Sequence, residues 1–326
     1  MKSFAFAALC AAVNALNNVE FEYMNYMAQF NKYSNDINEF QMRLEQFTQT
    51  DAFIKENNAS NASHVAGHNQ FSDWTYAEYK SILGYRRGER DVSKMRMKVF
   101  EPTNAETVNW VDAGAVTPVK DQGQCGSCWA FSSTGSLEGA HFVATGELLS
   151  FSEQQLVDCA GLLYGNMGCN GGLQSHAYSY YERGHDAMLE ADYPYTSGTT
   201  LKSGSCQYSA SQASGVAVTD YTNVTPNSSS QMKAALQQGP LAVAIEADKR
   251  VFQTYKSGVL SSSSCGTSLD HAVLAVGYGS EDGQDYWLVK NSWNTTWGDN
   301  GYVKLAMDSS SGTCGVQEDP QLPVSN

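Results

Sequence analysis

The sequence predicts an α+β fold, because its helix and strand signals occupy different stretches instead of alternating. Within residues 112–218 a helix is predicted from Trp129 to Thr145, closed by Gly146 as its C-terminal cap. Within 219–320 four apolar runs read as strands: Leu241–Ile245, Ala272–Val276, Tyr286–Val289 and Gly301–Leu305. Gly and Ser clusters part them, and the Ser/Thr/Gly runs at 196–205 and 261–268 read as surface loops. Ahead of both, residues 17–100 lack cysteine and carry two helical periodicities. Phe21, Met24, Met27, Ala28 and Phe30 recur at helical spacing, as do Phe40, Leu44, Phe47, Phe53 and Ile54. Glu39 and Arg43 stand in a helix-supporting i,i+4 order.

At 326 residues and 35.5 kDa the chain holds about two domains, with room for a processed segment. Hydrophobic residues make up 42%, enough for a core, which excludes wholesale disorder. A nucleic-acid binder should show a basic face, and a net charge of −14 does not favour one. No apolar run approaches the ~18 residues of a membrane span. Residues 1–15 read as a secretory signal, one Lys and then a short apolar stretch, with cleavage expected after Ala15. That route permits disulfides. Of eight cysteines Cys10 would leave with the signal, and the odd count of seven raises the expectation of a free reactive thiol or an intermolecular bridge. Sequons fall at Asn58, Asn61, Asn223, Asn227 and Asn294, with Asn223 weakened by Pro226.

Residues 86–98 pack six basic side chains (Arg86, Arg87, Arg90, Lys94, Arg96, Lys98) against Glu89 and Asp91. From Asn104 onward there are 9 basic and 22 acidic residues, net −13. The basic run is either a solvated linker or a segment that docks on the acidic body by complementary charge. Gly277-Tyr278-Gly279 reads as strand-terminal glycines, since no phosphate-loop spacing or helix follows.

The densest chemical signal is Gln122-Gly-Gln-Cys-Gly-Ser-Cys-Trp-Ala-Phe131. Its Cys-x-x-Cys could be a redox pair, although no βαβ pattern precedes it. It could be half a zinc site, although no second pair of ligands follows at ligand spacing. Or one cysteine is structural and the other a nucleophile. Cys128 would begin the predicted helix, where the positive end of the dipole favours a thiolate, and a histidine partner would take the proton. His271 lies 143 residues beyond Cys128 and Asn291 lies 163 beyond, so a longer loop at Gly279–Asp285 is expected between them.

These residues resemble the papain family of cysteine peptidases, its cathepsin L-like branch in particular. Gln122–Trp129, Gly168-Cys-Asn-Gly-Gly172, Leu269-Asp-His-Ala-Val273 and Lys290-Asn-Ser-Trp293 match family blocks in family order. The leading segment resembles the family propeptide at Glu39, Arg43, Phe47, Ile54 and Asn58, with Thr50 where Asn is usual, and at Gly67, Asn69, Phe71 and Asp73. The resemblance implies a two-domain papain-like fold. A helical domain (112–218) and an antiparallel barrel-like β domain (219–320) would flank the active-site cleft, behind a helical propeptide. It implies a signal at 1–15, an inhibitory propeptide at 16–103 and a mature endopeptidase at 104–326, made as a zymogen. No occluding insertion follows Cys159 or Cys169, so endopeptidase action is expected rather than dipeptide removal.

Roles follow from the resemblance position by position. Cys128 would be the nucleophile, His271 its base and acid, Asn291 the residue that orients the imidazole, and Gln122 an oxyanion donor beside the Cys128 N–H. Trp293 would shield the His–Asn bond from water. Gly171 and Gly172 would let an extended substrate approach. Family pairing implies Cys125–Cys169, Cys159–Cys206 and Cys265–Cys314, which leaves Cys128 free, in accord with the odd count. The pocket for the residue two before the scissile bond would be lined by Leu173, Gln174, Ala244 and Leu269. Asp319 at its base would admit Arg as well as apolar side chains. Asn294 stands where the family usually has Gly, and a glycan there would narrow access. Acid would protonate carboxylates, Asp73 among them, and loosen the propeptide. Peptide and protein substrates, the chain's own propeptide and cystatin-like inhibitors are the implied partners. No cofactor, nucleic acid or membrane span is implied. The protein would be a monomer in a lysosome or digestive vacuole, or exported.

Overall fold

The computed structural model describes residues 18–86, 88, 95–261 and 263–326. The proposed signal with Cys10, and Arg87, Glu89, Arg90, Asp91 and Lys94 of the basic run, lie outside those residues.

The leading segment supplies α1 (Asn18–Gln29), α2 (Ile37–Ala59), β1 (His64–Ala66), α3 (Tyr76–Ser81) and β2 (Met97–Lys98). α2 begins where the Asp36 carboxylate accepts from the Asn38 N–H at 3.0 Å. Thr75 and Glu78 cap α3 reciprocally. α2 buries Phe47 and Ile54, as its periodicity predicts. α1 is helical too, but turns a different face inward. Phe21 and Met24 are 57% and 47% exposed, whereas Tyr23 and Tyr26 are buried against Phe47. The tyrosines win that position because their hydroxyls donate to Asp73 at 3.4 and 3.1 Å, so burying the rings strands no polar tip.

The body continues with β3 (Val108–Asn109), α4 (Cys128–Thr145), α5 (Glu153–Cys159), α6 (Gln174–Glu182) and α7 (Ser197–Thr200). Then come β4 (Val218–Val224), α8 (Ser229–Leu236), β5 (Leu241–Ile245), α9 (Arg250–Gln253), β6 (Tyr255–Leu260), β7 (His271–Glu281), β8 (Gln284–Lys290), β9 (Tyr302–Ala306) and β10 (Gln321–Ser325). α4 is buried from Cys128 through His141 and ends at Gly146 with φ 80°. Small residues let it run through the centre. A Cβ on Gly139 would stand 2.5 Å from the Pro240 ring.

The strands order β1-β6-β9-β8-β7-β5-β10-β4-β2, with β3 on β7. Pairing is antiparallel except β6 with β9 and β2 with β4. Strands of the leading segment thus close both ends of the sheet, β1 on β6 and β2 on β4. One core gathers Trp287, Trp293, Trp297 and Phe252 around the strands, and a second gathers Trp129, Phe151, Tyr178 and Tyr180 around the helices.

Several expectations are corrected. Gly277 and Gly279 lie inside β7, not at its end, and a Cβ on Gly277 would meet the Val108 carbonyl of β3 at 2.2 Å. The expected loop at Gly279–Asp285 is a hairpin paired as far as Glu281 and Gln284, with Asp282 and Gly283 at φ 51° and 82° in the turn. The extra residues lengthen two strands. α7 occupies part of the predicted loop at 196–205, α8 and α9 interrupt the strand-rich half, and β10 extends beyond residue 320.

Candidate active site

Cys128 is the first residue of α4 and the free cysteine among those described. Cys125 is bonded to Cys169, Cys159 to Cys206 and Cys265 to Cys314. A redox bridge between Cys125 and Cys128 is therefore not formed, and no group of three His, Cys, Asp or Glu among the described residues is placed to hold a metal. β7 opens with His271, and β8 delivers Asn291 one residue past its end. His271 Nε2 meets Asn291 Oδ1 at 2.8 Å, and that oxygen also accepts from the Ser292 N–H at 2.8 Å. An oxygen already receiving an N–H requires the ring hydrogen on Nε2. Nδ1 then carries the lone pair, and it has no hydrogen-bond partner. The Trp293 indole stacks on the imidazole at 4.5 Å and donates to Gln122 Oε1 at 3.1 Å. Ser292 Oγ donates to the same oxygen at 2.7 Å, which points Gln122 Nε2 the other way.

The site is neutral in this closed form. Burial pushes the Cys128 thiol up to about 11, against the backbone N–H groups of Ala272 and Gly84 that would favour a thiolate. Burial pulls His271 down to about 4, with the Asn291 bond opposing it. Both shifts favour the neutral thiol and the neutral imidazole while the leading segment covers them.

That segment runs across the site. Gln122 Nε2 donates to the Ile82 carbonyl at 2.8 Å, and the Gly84 N–H donates to Cys128 Sγ at 3.3 Å. Tyr85 bridges Gly172 in parallel: the Gly172 N–H donates to Gly84 at 2.8 Å and the Arg86 N–H to the Gly172 carbonyl at 3.1 Å. Bare backbone is required on both sides. A Cβ on Gly84 would stand 1.8 Å from the Gly126 oxygen, and one on Gly171, where φ is 111°, 2.7 Å from the Gly84 oxygen. The Tyr85 ring packs in the cluster that holds Leu173, Ala244 and Leu269, and its hydroxyl donates to the buried Asp319. Gln174 turns its amide nitrogen to the Val243 carbonyl at 3.0 Å, into the core.

The spaced residues of the leading segment each hold something. Arg43 pairs Glu78 through two 2.6 Å bonds and stands 3.8 Å from Glu39. Asn58 clasps both backbone groups of Ala66, each at 2.9 Å. The Gly67 N–H donates to the Thr254 carbonyl at 2.8 Å, Asn69 donates to the Gln253 carbonyl at 2.7 Å, and Phe71 meets Trp293 edge-on at 5.1 Å. Asp73 receives Lys32 with the two tyrosines. Thr50, the departure, accepts from Arg250 of the body at 3.2 Å. Arg96 pairs Glu182 and Asp220 and lies 4.6 Å from the Tyr221 ring, so this residue of the basic run meets acidic side chains of the body.

Sequence reasoning missed Ile82, Gly84 and Tyr85. The available signal was a glycine between bulky residues in a stretch without periodicity. The sequons also sort. Asn223 is buried and Asn58 is engaged with Ala66, whereas Asn61, Asn227 and Asn294 are exposed.

The fold and the cysteine–histidine–asparagine arrangement define a thiol peptidase closed by its own leading segment. The chain belongs to the papain family of cysteine proteases: that family's profile matches residues 104–324, and the cathepsin propeptide inhibitor domain (I29) matches residues 23–79. It is 42% identical over 328 residues to digestive cysteine proteinase 1 of Homarus americanus, covering 98% of each. It is 39% identical over 337 residues to a cathepsin L-like peptidase of Aedes aegypti, covering 98% of this chain and 97% of that protein. The structure of digestive procathepsin L 3 from the larval midgut of Tenebrio molitor superposes with a TM-score of 0.83 at 32% identity, covering 94% of this chain and 99% of that one. The chain is thus a cysteine endopeptidase with an inhibitory propeptide, a zymogen with three disulfides.

Proposed function

We propose that Cys128 and His271 cleave peptide bonds through an acyl-enzyme once the propeptide leaves. The thiol proton passes to His271 Nδ1, and Sγ attacks the scissile carbonyl carbon. The oxyanion is received by Gln122 Nε2 and the Cys128 N–H at the start of α4. His271 returns the proton to the departing amine. Water then attacks the thioester with His271 as base, freeing the acid and the thiol. Asn291 keeps the imidazole tautomer that this sequence needs, and Trp293 covers the bond between them. Gly172 supplies backbone pairing for an extended substrate, with Leu173, Ala244, Leu269 and Asp319 around the side chain two before the cut. The charge on Asp319 fits Arg there as well as apolar groups.

The observation that carries this reading is the Ile82 carbonyl of the propeptide, which accepts from Gln122 Nε2 at 2.8 Å. That bond supports Gln122 as an oxyanion donor, and the propeptide presents the Gly84 N–H to Sγ at 3.3 Å, not a carbonyl carbon to be attacked. Maturation falls near residues 97–105, and acid favours it. The work is general protein degradation in a lysosome or digestive vacuole, or after export, as a monomer restrained by cystatin-like inhibitors. The precursor, incubated in acid with a mild reductant and then with an epoxide thiol probe, should shift to the mass of residues 104–326 with label on Cys128 alone. No shift and no label would refute the assignment.

A further inference from the structure

The two donors proposed for the oxyanion sit at opposite ends of one loop. Gln122 opens it, and Ser127 closes it just ahead of Cys128 and α4. Both end residues are buried. One side chain from a distant segment touches both. The Tyr195 hydroxyl donates to the Gln122 carbonyl at 2.9 Å and lies 2.7 Å from Ser127 Oγ. A carbonyl can only accept, so the single phenol hydrogen is spent on it, and Ser127 is the donor in the second bond. Serine ahead of a helix ordinarily caps it, yet the Ser127 side chain makes no cap bond. Its hydroxyl is committed to Tyr195, and its other contact, to the Cys125 carbonyl, is longer at 3.5 Å. Tyr195 is itself anchored. Its N–H donates to Glu190 at 2.9 Å, and its ring meets Phe131 of α4 edge-on at 4.9 Å. The Gln124 N–H donates to the Gly198 carbonyl at 3.0 Å, which ties the middle of the loop to the same segment.

We infer that Tyr195 is a positioning residue for the oxyanion site, its hydroxyl fixing Gln122 Nε2 relative to the Cys128 N–H. The inference rests on the proteinase reading, in which those two groups receive the oxyanion. Donors stabilise a developing charge best when they are already aimed at it and need not reorganise during the reaction. The other partners of Gln122 hold it to the histidine side of the site. Its N–H donates to the Ser292 carbonyl at 2.9 Å, and its Oε1 accepts from Ser292 Oγ and the Trp293 indole. Within the loop, Nε2 reaches as far as the Cys125 carbonyl, at 2.8 Å. Tyr195 carries the connection on to Ser127, and so to the residue whose N–H is the second donor. The hydroxyl bonds to neither Cys128 Sγ nor His271, so it acts on the placement of the donors and not on the nucleophile or the base.

The test is Tyr195→Phe in the acid-activated enzyme, which keeps the ring against Phe131 and removes only the hydroxyl. For a fluorogenic peptide, kcat should fall about tenfold, a single bond's worth, with KM within about twofold of the parent. Two readouts separate positioning from a general loss of structure. Alkylation of Cys128 by iodoacetamide forms no oxyanion, so its rate should not change, and its extent counts the folded sites. In a Gln122→Ala background, which has no side-chain donor left to aim, the same change should cost less than about threefold. Ser127→Ala removes the second bond and should lower kcat about threefold with the same two signatures. It serves if the phenylalanine variant fails to fold. An unchanged kcat, an equal loss of alkylation, or an undiminished loss in the Gln122→Ala background overturns the inference while the proteinase reading stands. If the parent enzyme cuts no peptide, or Gln122→Ala keeps full kcat, the oxyanion assignment falls first and takes this inference with it.

Discussion

Replacing Gly84 with alanine tests whether the propeptide silences the enzyme by backbone contact. The added methyl would stand 1.8 Å from the Gly126 oxygen and 2.4 Å from its carbonyl carbon. Backbone on both sides cannot rotate away, so the segment must rise by more than an ångström. That displacement breaks three bonds: Gly84 N–H to Cys128 Sγ at 3.3 Å, Gly172 N–H to Gly84 at 2.8 Å, and Gln122 Nε2 to Ile82 at 2.8 Å. At about 0.5–1.5 kcal/mol each, the loss is about 2–4 kcal/mol, or roughly 30- to 1,000-fold in the ratio of closed to open precursor. The assay is cleavage of a fluorogenic peptide by intact precursor at pH 7, with epoxide labelling of Cys128 as an independent count of open sites. Gly84→Ala should raise both before any processing is visible on a gel. A variant as latent as the parent, with Cys128 unlabelled, would refute the account, because latency would then reside in the helical part of the propeptide.

Other expectations concern protonation and chemistry. With the thiol at about 11 and the imidazole at about 4, both groups are neutral between those values in the precursor. Iodoacetamide should therefore alkylate Cys128 slowly at pH 7 in the precursor and rapidly after maturation; equal rates would contradict the burial argument. His64 is buried in β1 with neither ring nitrogen bonded, and burial lowers its pKa below 6.5. The undocked form thus binds a proton first, so docking is strongest above pH 6.5 and weakens as pH falls below it. His64→Leu should move the onset of processing to lower pH, read from processing half-times between pH 4 and 7. Burial raises Glu78, but its bonds from Arg43 and Thr75 outweigh that and lower its pKa. Its contribution therefore persists above its unfolded value of 4.5 and is lost only as pH falls through its lower, folded one, a window below that of His64. Arg43→Ala should cost the propeptide about 1 kcal/mol, since both partners are partly exposed, and a drop in the first thermal transition would register it. Gln122→Ala should lower kcat of the activated enzyme by about 10²–10³, measured at saturating peptide.

Much of this protein was legible in its sequence because the controlling interactions are local or carried by residue type. Gly146 ends α4 wherever that helix packs. Strands β5 and β8 follow from runs of apolar residues that have nowhere else to go. An odd cysteine count, once Cys10 is set aside, pointed to a free thiol or an intermolecular bridge before any pairing was known. What stayed hidden depends on distant partners. Periodicity ranks Phe21 and Met24 above Tyr23 and Tyr26, and only Asp73, some fifty residues away, makes tyrosine the better buried residue. Gly277 reads as a strand end until β3 lies against it. Thiolate character was inferred from a helix start, but burial under Gly84 reverses it in the closed form. The sequence determined which chemistry the chain can perform, because nucleophile, base and amide are properties of side chains. Tertiary structure decided whether that chemistry is switched on and what fills the pocket, because desolvation and contact exist only once segments distant in sequence meet.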